Sequence, residues 1–155
     1  MNRARRVTVT ERLDHRADYA DAFEIRVSGP DERTAEQWVR AGLEQAPAAV
    51  RWLIVAVHRH VLRLHLGPLG DGDHVLGWRI ITDDPGVVRL DASGPLAAAM
   101  IMGRRLDPTR MQLTTSLSYR RPALARAVWA CVGPLHRTIA PLLLRRAARR
   151  PATIR

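Results

Sequence analysis

His136 follows Trp129 by seven residues in the stretch AVWACVGPLHRTIAPLLLRRAARR, so the two share one helical face at the edge of an apolar stripe. An imidazole so placed could donate to a ligand oxygen or take a proton from it. Tyr19, Asp21, Thr115 and Tyr119 fall at alternate positions of two strand-like segments, on the sides that face inward. A few polar groups of this kind on apolar walls would orient an amphipathic ligand. The candidate catalytic residues are therefore His136, Tyr119 and Asp21, and the competing reading of each is a satisfied polar group at the edge of a core.

Other groupings resolve into local structure. HRHVLRLH holds His58, His60 and His65, but on a helix His58 and His60 point to different sides. No carboxylate or cysteine stands at a metal-ligand spacing from them, so no metal is expected. GDGDH, Gly70 to His74, resembles part of a calcium loop without its closing glutamate, and GPLGDGD lacks the Lys-Ser/Thr of a phosphate loop. TDDP, Thr82 to Pro85, pairs two carboxylates but continues into the Asp-Asp-Pro-Gly composition of a β-turn. No cofactor is called for, and the balance favours binding over catalysis.

Composition narrows the setting. A chain of 155 residues with 46% hydrophobic and 26% charged residues is expected to form one globular domain around one core. The net charge of +10 invites an acidic partner, yet every one of the 25 basic residues is arginine, the mark of a GC-rich coding sequence. The arginines are not interleaved with aromatics as stacking platforms for nucleic acid require, which argues against that partner. Cys131 is the single cysteine, so no internal disulfide can form. The start, MNRARRVTVTERLDHR, has no apolar run long enough for a signal peptide, and a cytoplasmic protein is expected. Residues 1–16 read as a polar tail, 17–150 as the domain and 151–155 as a second tail.

These candidates need elements to hold them. DYADAFEIRV, Asp18 to Val27, alternates as a first strand, and TAEQ provides a capping box for a helix running to about Gln45. From Pro47, the residues Val50, Leu53, Ile54, Val57, Val61 and Leu64 recur at helical spacing. Strands follow at about 74–82, 86–93, 96–104 and 111–119, separated by DDPG, SGP and DPTR, turns too short for crossover helices.

The last element is a long helix after Pro122, with Leu124, Val128, Cys131, Val132, Leu135, Ile139 and Leu142 as its apolar stripe. Arg126, His136 and Arg137 interrupt the run, which argues against a membrane span. Pro134 and Pro141 would bend the helix over a sheet. Arg145, Arg146, Arg149 and Arg150 complement the helix dipole, and the sharper reading is weak attraction to an anionic membrane surface.

This element order, with DYADAF, LDASGPL, TRMQLTTSLSYRRP and above all VGPLHRTIAPLLLRRA, resembles an uncharacterised bacterial family of the START/polyketide-cyclase superfamily. The resemblance spans about residues 18–148. It implies an α+β helix-grip fold: a curved antiparallel sheet of about five or more strands on a long C-terminal helix, with an apolar cavity between them. The walls expected from it are Tyr19, Phe23, Trp78, Ile80, Met100, Met102, Leu113, Thr115, Leu117, Tyr119, Trp129, Val132 and His136. It implies as partner a lipid, fatty acid or polyketide-like molecule, or alternatively a cyclase, dehydratase or hydrolase chemistry through His136. A third reading is a non-catalytic module that meets acidic partners or membrane through its arginines.

Overall fold

The structure is a computed structural model that describes residues 3–9 and 16–149. Its elements in chain order are β1 (Arg5–Val7), β2 (Tyr19–Arg26), α1 (Ala35–Glu44), α2 (Ala48–Ala56), β3 (His74–Val75), β4 (Trp78–Asp84), β5 (Val87–Ser93), β6 (Ala97–Asp107), β7 (Arg110–Tyr119) and α3 (Pro122–Arg149). A π-helical turn, Val57–Val61, extends α2. All strands pair antiparallel in one sheet of order β1-β2-β7-β6-β5-β4-β3. The fold is α+β, a helix-grip, with the helices covering one face of the sheet.

Local chemistry sets the boundaries. Thr34 and Gln37 form the reciprocal capping box that starts α1. Asp107 accepts from the Thr109 backbone N–H and hydroxyl, both at 2.8 Å, closing the β6–β7 turn. Pro85 and Gly86 make the two-residue β4–β5 connection.

The core lies between the inner sheet face and the helices. Phe23, Ile25, Val88, Leu90, Ile101, Met111 and Leu117 point inward from the strands toward Trp38 and Leu43 of α1 and Trp129, Val132 and Leu143 of α3. Gly42 of α1 faces the Leu143 carbonyl of α3, where an added Cβ would make an ordinary contact at 3.4 Å. Under α1, a Cβ at Gly103 of β6 would collide with the Val39 side chain.

The structure departs from the sequence expectations at four places. β1 forms inside the expected polar tail and pairs with β2 through Arg6 opposite Phe23, one of the two additions that bring the sheet of about five or more strands to seven. The segment expected as one strand at 74–82 folds back on itself, since Leu76 and Gly77 both take positive φ, 49° and 86°. The helix from Pro47 gives way to the π turn, closed by the Leu62 N–H donating to the Val57 carbonyl. The calls on residues 10–15 and 150–155 lie outside the described residues.

The fourth departure concerns the face of α3. Its buried residues are Ala125, Trp129, Val132, Gly133, Ala140, Leu143, Leu144 and Ala147, while Leu124, Cys131, Leu135 and Leu142 of the expected stripe are exposed. The buried side mixes Trp129, Val132, Leu143 and Leu144 with small residues, so the packing face follows shape against α1 and the sheet and not hydrophobicity alone. Pro134 and Pro141 lie within a continuous helix. Pro134 is exposed, as is Ala130, whose carbonyl loses its helical donor to that proline and faces water instead.

Candidate functional site

Between α2 with its π turn, α3 and the inner sheet face lies a cavity of about 80 Å³. Leu53, Ile54, Val57 and His58 line it from one side and Trp129, Val132, Leu135, His136, Ile139 and Leu143 from the other. Trp78, Ala99, Ile101, Leu113, Thr115 and Leu117 form its floor, with Leu43 of α1 and the Leu62–Leu64 segment at its ends. Leu135 is exposed and Leu53, Val57 and Ile139 are half-buried, so the space opens between α2 and α3. A space several water molecules in size with walls this apolar favours hydrocarbon over water.

The polar groups at its edge are held in fixed orientations. His136 Nε2 lies 3.2 and 3.1 Å from the two carboxylate oxygens of Asp21. The Asp21 side chain has no exposure, and it also accepts the Tyr19 hydroxyl at 2.6 Å. A carboxylate buried this completely persists only with such partners. Acceptance by Asp21 requires the hydrogen of His136 on Nε2, leaving Nδ1 for another partner. Trp129, at 5.4 Å, and Phe23, at 6.4 Å, pack on the His136 ring, and Tyr19 stacks at a tilt on Trp129 at 4.9 Å. Burial, and then the bond to Asp21, push the Tyr19 hydroxyl above its ordinary range, so it stays a donor.

His58 completes the pair from the π turn. Its Nδ1 lies 3.2 Å from Trp78 Nε1, and the rings meet edge-on at 5.3 Å. An indole N–H only donates, so His58 Nδ1 accepts and its hydrogen sits on Nε2. Burial, with the neighbouring His136 as a secondary cause, pulls its pKa from 6.5 to about 4, which keeps the ring neutral. The cavity thus has a neutral imidazole on one wall and an Asp-anchored imidazole on the other. In addition, Trp129 has a buried Nε1–H with no partner among the described residues.

The structure brings together Trp78, Leu113, Thr115, Leu117, Trp129, Val132 and His136 of the sequence-predicted wall. Tyr19, Asp21 and Phe23 stand one layer behind, holding His136 and Trp129. Ile80 and Tyr119 pack against the core without lining the cavity. Tyr119 receives its polar contact at the backbone, where its N–H donates to Asp18, and makes none with His136. Met100 and Met102 fall on the opposite sheet face, because Ala99 pairs with Leu117 and Ile101 with Thr115. A one-residue difference in parity reverses the face. Met100 instead borders an outer-face groove of about 400 Å³ with Ser116, Ser118 and Arg79.

The sequence expectation for the wall omits its α2 side, whose signal is the apolar spacing of Leu53, Ile54 and Val57 with His58 among them. Among the described residues no His, Cys, Asp and Glu cluster has the arrangement to hold a metal. In the Gly70–His74 loop, Asp71 accepts from the Asp73 N–H at 3.1 Å and bonds His74 Nδ1 at 2.8 Å, an Asx turn.

No family model and no curated protein matches the chain. Among solved structures, the chain is similar to the Zhui aromatase/cyclase from Streptomyces sp. R1128, at 18% identity and a TM-score of 0.41, over 85% of this chain and 96% of that one.

The His58 assignment carries a pH dependence. Its native pKa of about 4 lies below the ordinary 6.5, so the unfolded chain binds the extra proton. The stability it contributes is complete above pH 6.5 and is lost as pH falls toward 4. His58→Gln keeps an acceptor for Trp78 but cannot charge, so its urea midpoint should fall less between those pH values than that of the parent. Parallel declines would refute the assignment.

Proposed function

We propose that this protein is a small-molecule-binding member of the START/polyketide-cyclase superfamily, holding one apolar or amphipathic molecule between α3 and the sheet. The observation that carries this reading is the cavity itself: apolar walls, an opening between α2 and α3, and two oriented imidazoles at its edge. At about 80 Å³ it takes the end of an acyl chain or one small ring, with the rest of the ligand running out through the opening. His58 Nε2–H offers a donor and His136 Nδ1 a second polar contact, matching a carboxyl, hydroxyl or carbonyl at the point where the ligand turns polar.

The Tyr19–Asp21–His136 chain favours a second reading, an enzyme of the cyclase or dehydratase type. Asp21 orients His136 through Nε2, the arrangement by which a carboxylate prepares an imidazole as general base. His136 Nδ1 would then take a proton from a carbon beside a ligand carbonyl, while a donor such as His58 Nε2–H meets the charge that develops on the oxygen.

Titration of the purified protein with decanoic acid and with 1-decanol, followed calorimetrically, tests the first reading. Saturable binding is expected for the parent protein. It should be lost in Ala99→Leu, which fills the cavity floor, at a cost of about 1–3 kcal/mol in stability. Binding unaffected by that substitution would place the ligand elsewhere. For the second reading, deuterium exchange at the α-carbon of a β-ketothioester should be accelerated by the parent and fall by about 100-fold or more in His136→Gln. No acceleration over buffer would leave the cavity as a binding site alone.

A further inference from the structure

We propose that the α2–α3 side of the molecule is a docking surface for an anionic lipid bilayer. The proposal rests on exposed surface and charge, and stands independently of what the cavity holds. α3 is the one described helix long and apolar enough by composition to cross a membrane, yet only 33% of its most apolar window is buried. Its unburied apolar residues are ordered: Leu124, Leu135 and Leu142 lie at helical spacing on one flank, at 49%, 36% and 47% exposure. Leu135 and the half-buried Ile139 belong both to this flank and to the cavity lining, so the apolar surface continues into the opening. α2 presents Trp52, the most exposed large apolar residue described, at 72%, on the side of the helix turned away from the cavity-lining Ile54 and Val57. A single exposed leucine needs no explanation, but an ordered flank of three, with an exposed tryptophan on the neighbouring α2, marks a contact surface.

Charge identifies the occupant. No aspartate or glutamate occurs between Glu44 and Asp71, or anywhere after Asp107. Over the same stretches Arg59 of the π turn, Arg63 just after it, and Arg146 and Arg149 of α3 are exposed cations, the last two on the flank of Leu142. The described carboxylates all lie outside these stretches, where arginines balance them, so the α2–α3 side carries an excess of positive charge. Exposed leucines and tryptophan among arginines, with no carboxylate, match the interface of an anionic bilayer, where apolar side chains enter the acyl boundary and guanidinium groups meet phosphates. A second copy of the same surface would oppose arginine to arginine. Docked this way, the cavity opening faces the source of any lipid-like ligand.

Cosedimentation with vesicles of phosphatidylcholine alone, or of phosphatidylcholine with phosphatidylglycerol, tests the proposal. The full chain should be retained on the anionic vesicles at low salt, be released at high salt and ignore the neutral ones. Arg59→Gln/Arg146→Gln/Arg149→Gln should weaken partitioning roughly 100-fold. Trp52→Ser/Leu142→Ser should weaken it as well and remove a blue shift of tryptophan emission on binding. All these positions are exposed, so thermal melts should match the parent and separate lost docking from lost folding. Failure of the melt-verified protein to bind anionic vesicles overturns the proposal. So does equal binding to polyglutamate with no effect of the Trp52/Leu142 pair, which would indicate an acidic macromolecule instead.

Discussion

The Asp21 carboxylate, buried on β2 and bonded to His136 on α3, is the constraint around which the rest of the structure is arranged. A carboxylate without exposure is costly, and breaking such a pair from one side typically costs about 3–5 kcal/mol. The bond therefore fixes where α3 sits along and around its axis relative to the sheet. It also sets the ring orientation of His136 and, through Tyr19, the position of the Trp129 indole. The same contact that docks the helix prepares the polar edge of the cavity, so architecture and site chemistry share one interaction.

The cavity follows from a mismatch in side-chain size. α1 packs tightly on the sheet where Gly103 of β6 lies beneath Val39. Toward α2 the sheet offers Ala99 and Thr115, and α3 offers Ala140, none large enough to fill the gap. The π turn widens the helical ladder at this point and places His58 against Trp78 instead of out in solvent. Large residues at the rim, Leu53, Leu135 and Ile139, shelter the space without closing it.

β5 and β7 were legible from alternation and β6 from the short turn signals on either side of it, which speak directly for antiparallel pairing. Thr34, Gln37 and the Asp107–Thr109 turn are likewise visible as chemistry in the sequence. Asp21, Thr115 and His136 could be placed inward from parity and helical spacing. Their convergence could not be read, since it depends on which face of α3 is buried. There the sequence misleads: hydrophobicity selects the Leu124–Leu142 stripe, whereas the buried face joins Trp129, Val132, Leu143 and Leu144 with Ala125, Gly133, Ala140 and Ala147. The β6 parity failed for a related reason, because AAAMIM is apolar on both sides and offers no alternation to choose a face. β1 was hidden by length, since three residues with two arginines carry no strand pattern of their own.

The central claim is that an accessible, dry space of about 80 Å³ exists between α3 and β7. Xenon enters apolar cavities and scatters strongly, so diffraction from crystals of the protein held under xenon pressure tests this most directly. The account predicts a xenon peak among Leu113, Trp129, Val132 and Ile139, with the Asp21–His136 bond intact. Side chains collapsed into that space, or a chain of ordered waters in place of xenon, would contradict it.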